Sequence, residues 1–113
     1  MRTIAVFLFV LGLSLSLSCK KDNTISMHFN ETGCGNPWSQ DSEIHVSNND
    51  PDYQDKITQY LALHGILVKS ISITNDGPIS GCFSCFCSTG RRINIIISEK
   101  ERPLATELGF TDN

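Results

Sequence analysis

Four cysteines are the residues of this chain whose type and spacing could do chemistry. Cys82, Cys85 and Cys87 form a tight cluster, and Cys34 lies far upstream in a segment rich in Gly and Asn. Thiols in such a pattern can form disulfides, hold a soft metal ion or exchange with the thiols of another protein. The oxidation state of the cysteines therefore decides among three kinds of site.

Disulfide formation is the first expectation, because a small exported domain gains about 2 to 4 kcal/mol from each bridge. One bridge should join Cys34 to the cluster and tie the loop after the first strand to the loop before the third. The other bridge should lie within the cluster. Four cysteines allow three pairings, and the sequence does not choose among them.

A metal site is the second expectation. Four thiolates can close a tetrahedron around zinc, and the Cys-x-x-Cys spacing of Cys82 and Cys85 is a common half of such a site. Cys87 makes the spacing irregular, which copper(I) would tolerate better. Three histidines could add ligands, namely His28, His45 and His64.

Thiol–disulfide exchange is the third expectation, since Cys82 and Cys85 have the spacing of redox-active pairs. In that chemistry the attacking thiol normally lies at the N-terminus of a helix, which favours the thiolate. Here the motif leads into Ser88, Thr89 and a predicted strand, so this helix is missing. The pattern favours structural bridges over exchange.

The first 18 residues have the layout of a secretory signal peptide. Arg2 supplies a positive start, Ile4 to Leu17 form an apolar run, and Ser18 is a small residue directly before Cys19. This run is shorter than the roughly 20 apolar residues that a membrane-spanning helix needs. If Cys19 carries lipid, the other four cysteines form an even set that can pair fully. We therefore expect residues 1–18 to be a lipoprotein signal peptide and 19–23 to be the lipidated cysteine with a short tether.

Four short motifs stand out along the chain. They are Ser-Cys-Lys-Lys-Asp-Asn at residues 18–23, Cys-Gly-x-Pro-Trp at 34–38, Cys-x-x-Cys-x-Cys-x-Thr-Gly-Arg at 82–91 and Leu-Gly-Phe at 108–110. Together they resemble the motifs of a family of small lipoproteins of the Bacteroidota, whose mature chains have a start similar to residues 18–23. The resemblance implies a lipid anchor at the outer membrane, with the domain periplasmic or displayed on the surface. The family has no established activity, so the resemblance implies none.

Hydrophobic periodicity predicts three strands. Residues 24–29 alternate between apolar and polar side chains, and residues 66–74 and 91–98 are rich in β-branched side chains. Because Ile96 lies on the face opposite Ile95 and its apolar neighbours, the last strand should be covered on both faces.

Two helices are predicted between and after these strands. Asp50 and Pro51 favour a helix start, and Gly65 favours its end. A shorter helix should begin near Pro103, bury Leu104 and Leu108, and end before Phe110 packs back on it.

The predicted order is strand, helix, strand, cysteine loop, strand, helix, in one domain from residue 24 to 113. Helices on one face of a small sheet make an α+β fold, a two-layer sandwich that is partly ferredoxin-like. Trp38 should cover the core near the Cys34 bridge, or serve as a ligand platform.

Charge and motifs exclude several functional classes. Removing Arg2 with the leader takes the formal net charge from −3 to about −4, so the chain offers no basic field for nucleic acid. Arg91 and Arg92 beside Gly90 could bind an anion, or they are solvated charges at a strand edge. The sequence lacks a phosphate-binding loop and the common hydrolase motifs, which indicates that the protein is not an enzyme.

The sequence therefore predicts a lipid-anchored protein of the bacterial envelope, a disulfide-stabilised binding or accessory module for a partner that the sequence does not identify. The alternative is a metal-binding or thiol-redox lipoprotein that uses the same cysteines with zinc or copper. The two differ in the oxidation state of the thiols.

Overall fold

Four strands form a single antiparallel sheet in the computed structural model, which describes residues 23–82 and 84–113. The predicted signal peptide, Cys19 and the tether residues 20–22 lie outside the described residues. The strands are β1 (Thr24–Thr32), β2 (Ser70–Thr74), β3 (Ser88–Ser98) and β4 (Thr111–Asp112). Their order across the sheet is β2-β3-β1-β4, and each neighbouring pair is antiparallel.

The strand register gives the sheet one apolar face. Ile95 of β3 lies between Met27 of β1 and Ile71 of β2. Successive side chains of a strand point to opposite faces, so Ile93 and Ile97 lie on the same face as Ile95. All three are buried, and they form the floor of the core.

The opposite face of the sheet is polar and open. Ile96 is 40% exposed, and its neighbours across the two adjoining strands are Ser26 and Ser70. The prediction that this strand is covered on both faces is therefore wrong. The described helices contribute to one apolar cluster, and that cluster lies on the other side of the sheet.

The first helix, α1, spans Tyr53–Leu63 and so begins later than the predicted start at Asp50. The carboxylate of Asp50 turns back instead, and accepts hydrogen bonds from the Ser47 amide at 2.8 Å and from Lys56 Nζ at 3.0 Å. Gly65 follows the helix as predicted. Its φ of 83° lies in the left-handed region that ends helices and that glycine adopts without strain.

The second helix, α2, spans Arg102–Glu107 and continues directly from a 3-10 turn at Glu99–Glu101. Phe110 packs back as predicted, and its amide donates to the Ala105 carbonyl at 3.0 Å. The predicted burial of Leu104 is wrong, since this side chain is 40% exposed and Ala105 is buried instead. No helix within the described ranges is long and apolar enough to cross a membrane.

Two strands differ from the predicted element order. The structure adds β4, which pairs with Met27 and His28 of β1. β2 begins at Ser70 rather than at Ile66, because the Ile66 amide donates to the Leu61 carbonyl and completes the end of α1. The observed order is therefore strand, helix, strand, strand, helix, strand, in a small α+β protein.

Trp38 lies at the centre of the core and is fully buried, as the core interpretation of this residue predicted. It stands in a 3-10 turn at Pro37–Gln40. Its ring centroid is 5.2 Å from that of Phe29 and 6.3 Å from that of Phe110. The first pair is edge-on and the second is tilted, and such aromatic pairs add to the energy of burial. Trp38 therefore connects the loop after β1 to the sheet and to the C-terminal segment.

Candidate functional site

Two disulfides join the four cysteines of the described chain. Cys34 is bonded to Cys85 with the Cα atoms 4.4 Å apart, and Cys82 is bonded to Cys87 with the Cα atoms 6.0 Å apart. The prediction of one bridge from the early loop to the cluster and one bridge within the cluster is confirmed. The structure supplies the pairing, which the sequence left open.

Backbone hydrogen bonds fasten the same two loops. The Cys34 and Gly35 amides both donate to the Cys85 carbonyl, at 3.0 and 2.9 Å, and the Gly33 amide donates to the Cys87 carbonyl at 3.0 Å. A Cβ at Gly35 would lie 2.6 Å from the ring of Phe86, so the loops touch closely here. The region is a cross-linked cap at one end of the sheet, which we call the disulfide cap (residues 33–35, 82 and 84–87).

Metal binding at the disulfide cap would require reduction first, because a bridged sulfur is not a thiolate ligand. In thiol exchange the two bridges would be the electrophiles that the thiolate of another protein attacks. The described residues contain no group of three or more His, Cys, Asp or Glu side chains placed to hold a metal ion. The zinc or copper alternative thus applies to a reduced form of the chain.

The three histidines lie in separate parts of the fold. His28 is on the open face of β1, where it shares hydrogen bonds with Asn113 at 2.6 Å and Thr111 at 3.1 Å. His45 has a φ of 53° in the loop before α1. His64 follows α1, and its ring centroid is 4.4 Å from that of Tyr60. The structure does not gather them into one site.

A buried carboxylate next to the disulfide cap carries the densest polar network. Glu31 of β1 is 1% exposed, and its two oxygens accept hydrogen bonds from Arg91 Nε at 3.0 Å and Nη2 at 2.7 Å. The Thr89 hydroxyl donates to the same carboxylate at 2.7 Å, and Arg91 also donates to the Asn48 carbonyl at 2.9 Å. A two-pronged pair of this kind fixes both the position and the plane of the guanidinium group.

Tyr53, the first residue of α1, connects this ion pair to the aromatic core. The guanidinium carbon of Arg91 lies 5.1 Å from the centre of the Tyr53 ring, and the Trp38 indole donates to the Tyr53 hydroxyl at 3.2 Å. Burial raises the pKa of Tyr53 well above its usual value, and hydrogen bonding to Glu31 and the charge of Glu31 raise it further. The hydroxyl therefore stays protonated over the physiological pH range.

Asparagines position the loop that borders this network. Asn36 is 1% exposed and accepts a hydrogen bond from the Thr32 amide at 2.8 Å. Asn48 donates to the carbonyls of Thr32 at 2.9 Å and Gly33 at 2.8 Å. Two distant loop segments are thus held together by side-chain amides.

An open cleft of about 550 Å³ lies beside the ion pair. Its walls are residues 48–55, which run from the loop into the first turn of α1, together with Ile73 and Arg91. The Ser47 amide and Lys56 hold the pKa of Asp50, on one wall, below its usual range. Since Glu31 balances the charge of Arg91, the remaining carboxylates make the cleft polar and weakly acidic.

The structure does not bring Arg91 and Arg92 together. They are neighbours on β3, so they point to opposite faces of the sheet. Arg92 is on the open face with Nη1 3.9 Å from the exposed Asp76 carboxylate, whereas Arg91 is on the covered side with Glu31. A joint anion site of the two side chains stays a prediction that would require one of them to leave its partner.

Glu31 and Tyr53 are the site residues that sequence reasoning missed. The alternation of Ile25, Met27 and Phe29 continues to position 31, so the pattern places a carboxylate on the buried face. A charged residue at a position that the alternation buries was the feature of the sequence that could have identified Glu31 as a site residue. Its partner Arg91 lies on another strand, so no pattern of neighbouring residues in the sequence indicates the pair.

Comparisons of the chain with protein-family models, with curated proteins and with solved structures found no match. A function for this chain is therefore inferred from its own residues and their geometry.

Proposed function

We propose that this chain is a bacterial lipoprotein whose leader is removed before Cys19 and whose new N-terminal cysteine is lipidated. The remaining domain works in the cell envelope as a disulfide-stabilised binding or accessory module. We assign it to the outer membrane, periplasmic or on the surface, and to the lipoproteins of the Bacteroidota that its motifs resemble. The role is one of binding and not of catalysis.

The pairing of the cysteines is the observation that carries this proposal. Two bridges use Cys34, Cys82, Cys85 and Cys87, so Cys19 is the one cysteine of five that they leave over. Disulfides persist mainly outside the cytoplasm, which supports export. A leftover cysteine directly after a leader is the position at which lipid is attached, which supports the anchor.

We also propose that the fold is of the ferredoxin-like type. β1 and β2 are both antiparallel to β3, so they are parallel to each other with β3 inserted between them. This is the split arrangement of strands that, with two helices in the order seen here, defines the ferredoxin-like pattern. Such a sandwich leaves one sheet face and the ends of the molecule for contacts.

We assign the binding role to the cleft beside α1. The cleft is concave and polar, and the Glu31 carboxylate fixes the Arg91 side chain on its wall. The disulfide cap and Asn48 hold the adjoining loop. Walls that are ordered before binding avoid the entropic cost of ordering them on contact.

Fractionation and intact mass measurement of the full-length chain in a Gram-negative host test this function. We expect a mature form that begins at Cys19, carries acyl chains and sediments with membranes. The Cys19→Ala variant should stay uncleaved and without acyl chains. Lys20→Ala, which keeps the cysteine, is the matched control and should behave as the wild type.

An unprocessed, unmodified chain in the cytoplasm would overturn the whole proposal. A chain that is cleaved and exported but has a free thiol at Cys19 would overturn the lipid anchor and leave the exported binding module.

A further inference from the structure

Three exposed leucines gather at one end of the fold. Leu63 at the end of α1 is 62% exposed, Leu67 is 69% exposed and Leu104 of α2 is 40% exposed. Leu63 and Leu67 stand two residues before and after Gly65, and a Cβ on Gly65 would lie 3.3 Å from Leu104 Cδ1. We call these three side chains the leucine patch.

The leucine patch lies at the end of the sheet where the described chain begins. The Asn23 carbonyl accepts a hydrogen bond from the Glu99 amide at 2.9 Å. Two residues further on, the Glu101 carboxylate accepts a hydrogen bond from the Leu67 amide at 3.1 Å. The start of β1 and the leucine patch are thus joined through one turn, Glu99–Glu101.

The tether is too short to move this end far from a membrane. From Cys19 to Asn23 the chain advances four residues, which span at most about 14 Å when fully extended. A lipid on Cys19 would hold the first residues of β1 within that distance of the bilayer. The leucine patch would be on the side of the domain that faces the lipid.

Charge at the same end suits an anionic lipid surface. Basic residues of the tether and of the neighbouring turns outnumber the acidic ones there, although the whole chain is acidic. The basic residues are Lys20, Lys21, Lys69, Lys100 and Arg102, and the acidic residues are Asp22, Glu99, Glu101 and Asp112, which lies 3.6 Å from Arg102 Nε. Basic groups close to a membrane are attracted by anionic headgroups.

We propose that the leucine patch inserts into the headgroup region of the bilayer to which Cys19 is anchored. This inference rests on the proposed lipid anchor and adds an orientation to it. Residues 24 to 31 of β1 span about 23 Å, so Glu31, the cleft and the disulfide cap stand at the far end, turned away from the lipid. Proteins that lie on a membrane usually contact it through apolar side chains inserted into the headgroup region.

Tryptophan quenching by brominated lipid tests the orientation in the full-length, lipidated protein. The protein is reconstituted in vesicles of phosphatidylethanolamine and phosphatidylglycerol, with and without bromine on the acyl chains. Leu67→Trp and Leu104→Trp report on the leucine patch. Ile79→Trp is the matched control, because Ile79 is 79% exposed and lies against Gly90 near the disulfide cap. The wild type, whose Trp38 is buried, gives the background.

We expect brominated lipid to lower the emission of Leu67→Trp and Leu104→Trp roughly two-fold and to leave Ile79→Trp at background. Equal quenching at all three positions, or none, in a protein that stays on the vesicles would overturn the orientation and leave the lipid anchor in place. Blue-shifted emission without quenching would mean that a second copy covers the patch, which also overturns it. A chain that carries no lipid and does not associate with vesicles would overturn both proposals.

Discussion

Arg91 donates two hydrogen bonds, of 3.0 and 2.7 Å, to the carboxylate of Glu31, which is buried and only 1% exposed to solvent. The β1–β3 register shifts between Asn30 and Thr32, so Glu31 stands at an irregularity of the ladder while its side chain keeps the buried face that it shares with Met27. The Glu31–Arg91 ion pair links β1 and β3 at the point where their regular hydrogen-bond ladder is interrupted. Arg91 also lines the cleft, so Glu31 fixes a side chain of the cleft wall.

Removing Arg91 should be costly. In Arg91→Met the Glu31 carboxylate would stay buried without its counter-charge, so we expect a loss of about 3 kcal/mol of stability. Arg92→Met is the matched control, and it should cost less than about 1 kcal/mol because Arg92 faces an exposed carboxylate at 3.9 Å. Urea unfolding of both variants measures the difference.

Glu31→Gln combined with Arg91→Met removes both charges and should recover part of that loss. If Arg91→Met and Arg92→Met are equally stable, the ion pair does not contribute as described.

Stability should decline in alkali because of Tyr53. Burial raises the pKa of this phenol above its usual 10, so the folded protein keeps a proton that the unfolded chain has lost. The contribution is complete below pH 10 and falls above it, by at most about 1.4 kcal/mol per pH unit. Urea midpoints across this range should fall less steeply in Tyr53→Phe than in the wild type. Burial raises the pKa of Tyr60 as well, so Tyr60→Phe is the comparison, and its slope should stay closer to the wild type because its phenol lacks the neighbouring Glu31 carboxylate. Identical slopes for Tyr53→Phe and the wild type would contradict the assignment.

The two disulfides should differ in their contribution. Cys34 and Cys85 are 51 positions apart and Cys82 and Cys87 are 5 apart, and a longer loop loses more entropy in the unfolded state when it is closed. We expect a loss of about 4 kcal/mol for Cys34→Ser with Cys85→Ser, and about 2 kcal/mol for Cys82→Ser with Cys87→Ser. Both residues of a bridge are replaced so that no free thiol remains. Denaturant unfolding without reductant compares the pairs, and a reversed order would contradict the loop argument.

Replacing Gly65 should lower the stability of the protein. Its φ of 83° strains any residue with a side chain, so we expect Gly65→Ala to lose about 1 to 2 kcal/mol. Gly81→Ala is the matched control, since a Cβ at Gly81 meets nothing within 4 Å and this glycine does not have a positive φ. Thermal unfolding should place Gly81→Ala near the wild type, and a similar midpoint for Gly65→Ala would show that the helix end adapts.

The exported protein should have no reactive thiols. Protein purified without reductant should leave Cys34, Cys82, Cys85 and Cys87 unlabelled by a thiol reagent, because all four are bridged. Zinc or copper should bind only after reduction, which elemental analysis measures before and after a reductant. Stoichiometric metal on the untreated protein would favour the metal-binding alternative.

The sequence predicted those features that are encoded by residues close together along the chain. The alternation that ends at Phe29 predicted β1, the glycine at 65 predicted the end of α1, and the spacing of Cys82, Cys85 and Cys87 predicted a bridge within the cluster. Each of these features depends on neighbours within a few residues, which a single sequence displays.

Features that depend on distant contacts were not predictable. β4 is two residues long, and it exists because β1 offers it an edge. Glu31 and Arg91 are 60 positions apart and meet across a shifted register, so neither predicts the other. Leu104 has the apolar character of a core residue, but it is 40% exposed on α2, where Ala105 is the buried residue.

The two disulfides cross in sequence, since Cys82 lies inside the loop that Cys34 and Cys85 close, and Cys87 lies outside it. A chain that emerges from its N-terminus and pairs cysteines in order of arrival would join Cys34 to Cys82 and Cys85 to Cys87. Neither of those bonds exists in the folded protein. Only the Cys82–Cys87 bond must wait until residue 87 has emerged, but any earlier bond between Cys34 and Cys82 has to be reshuffled, so the yield of correctly bridged protein depends on the thiol-exchange capacity of the compartment that receives it.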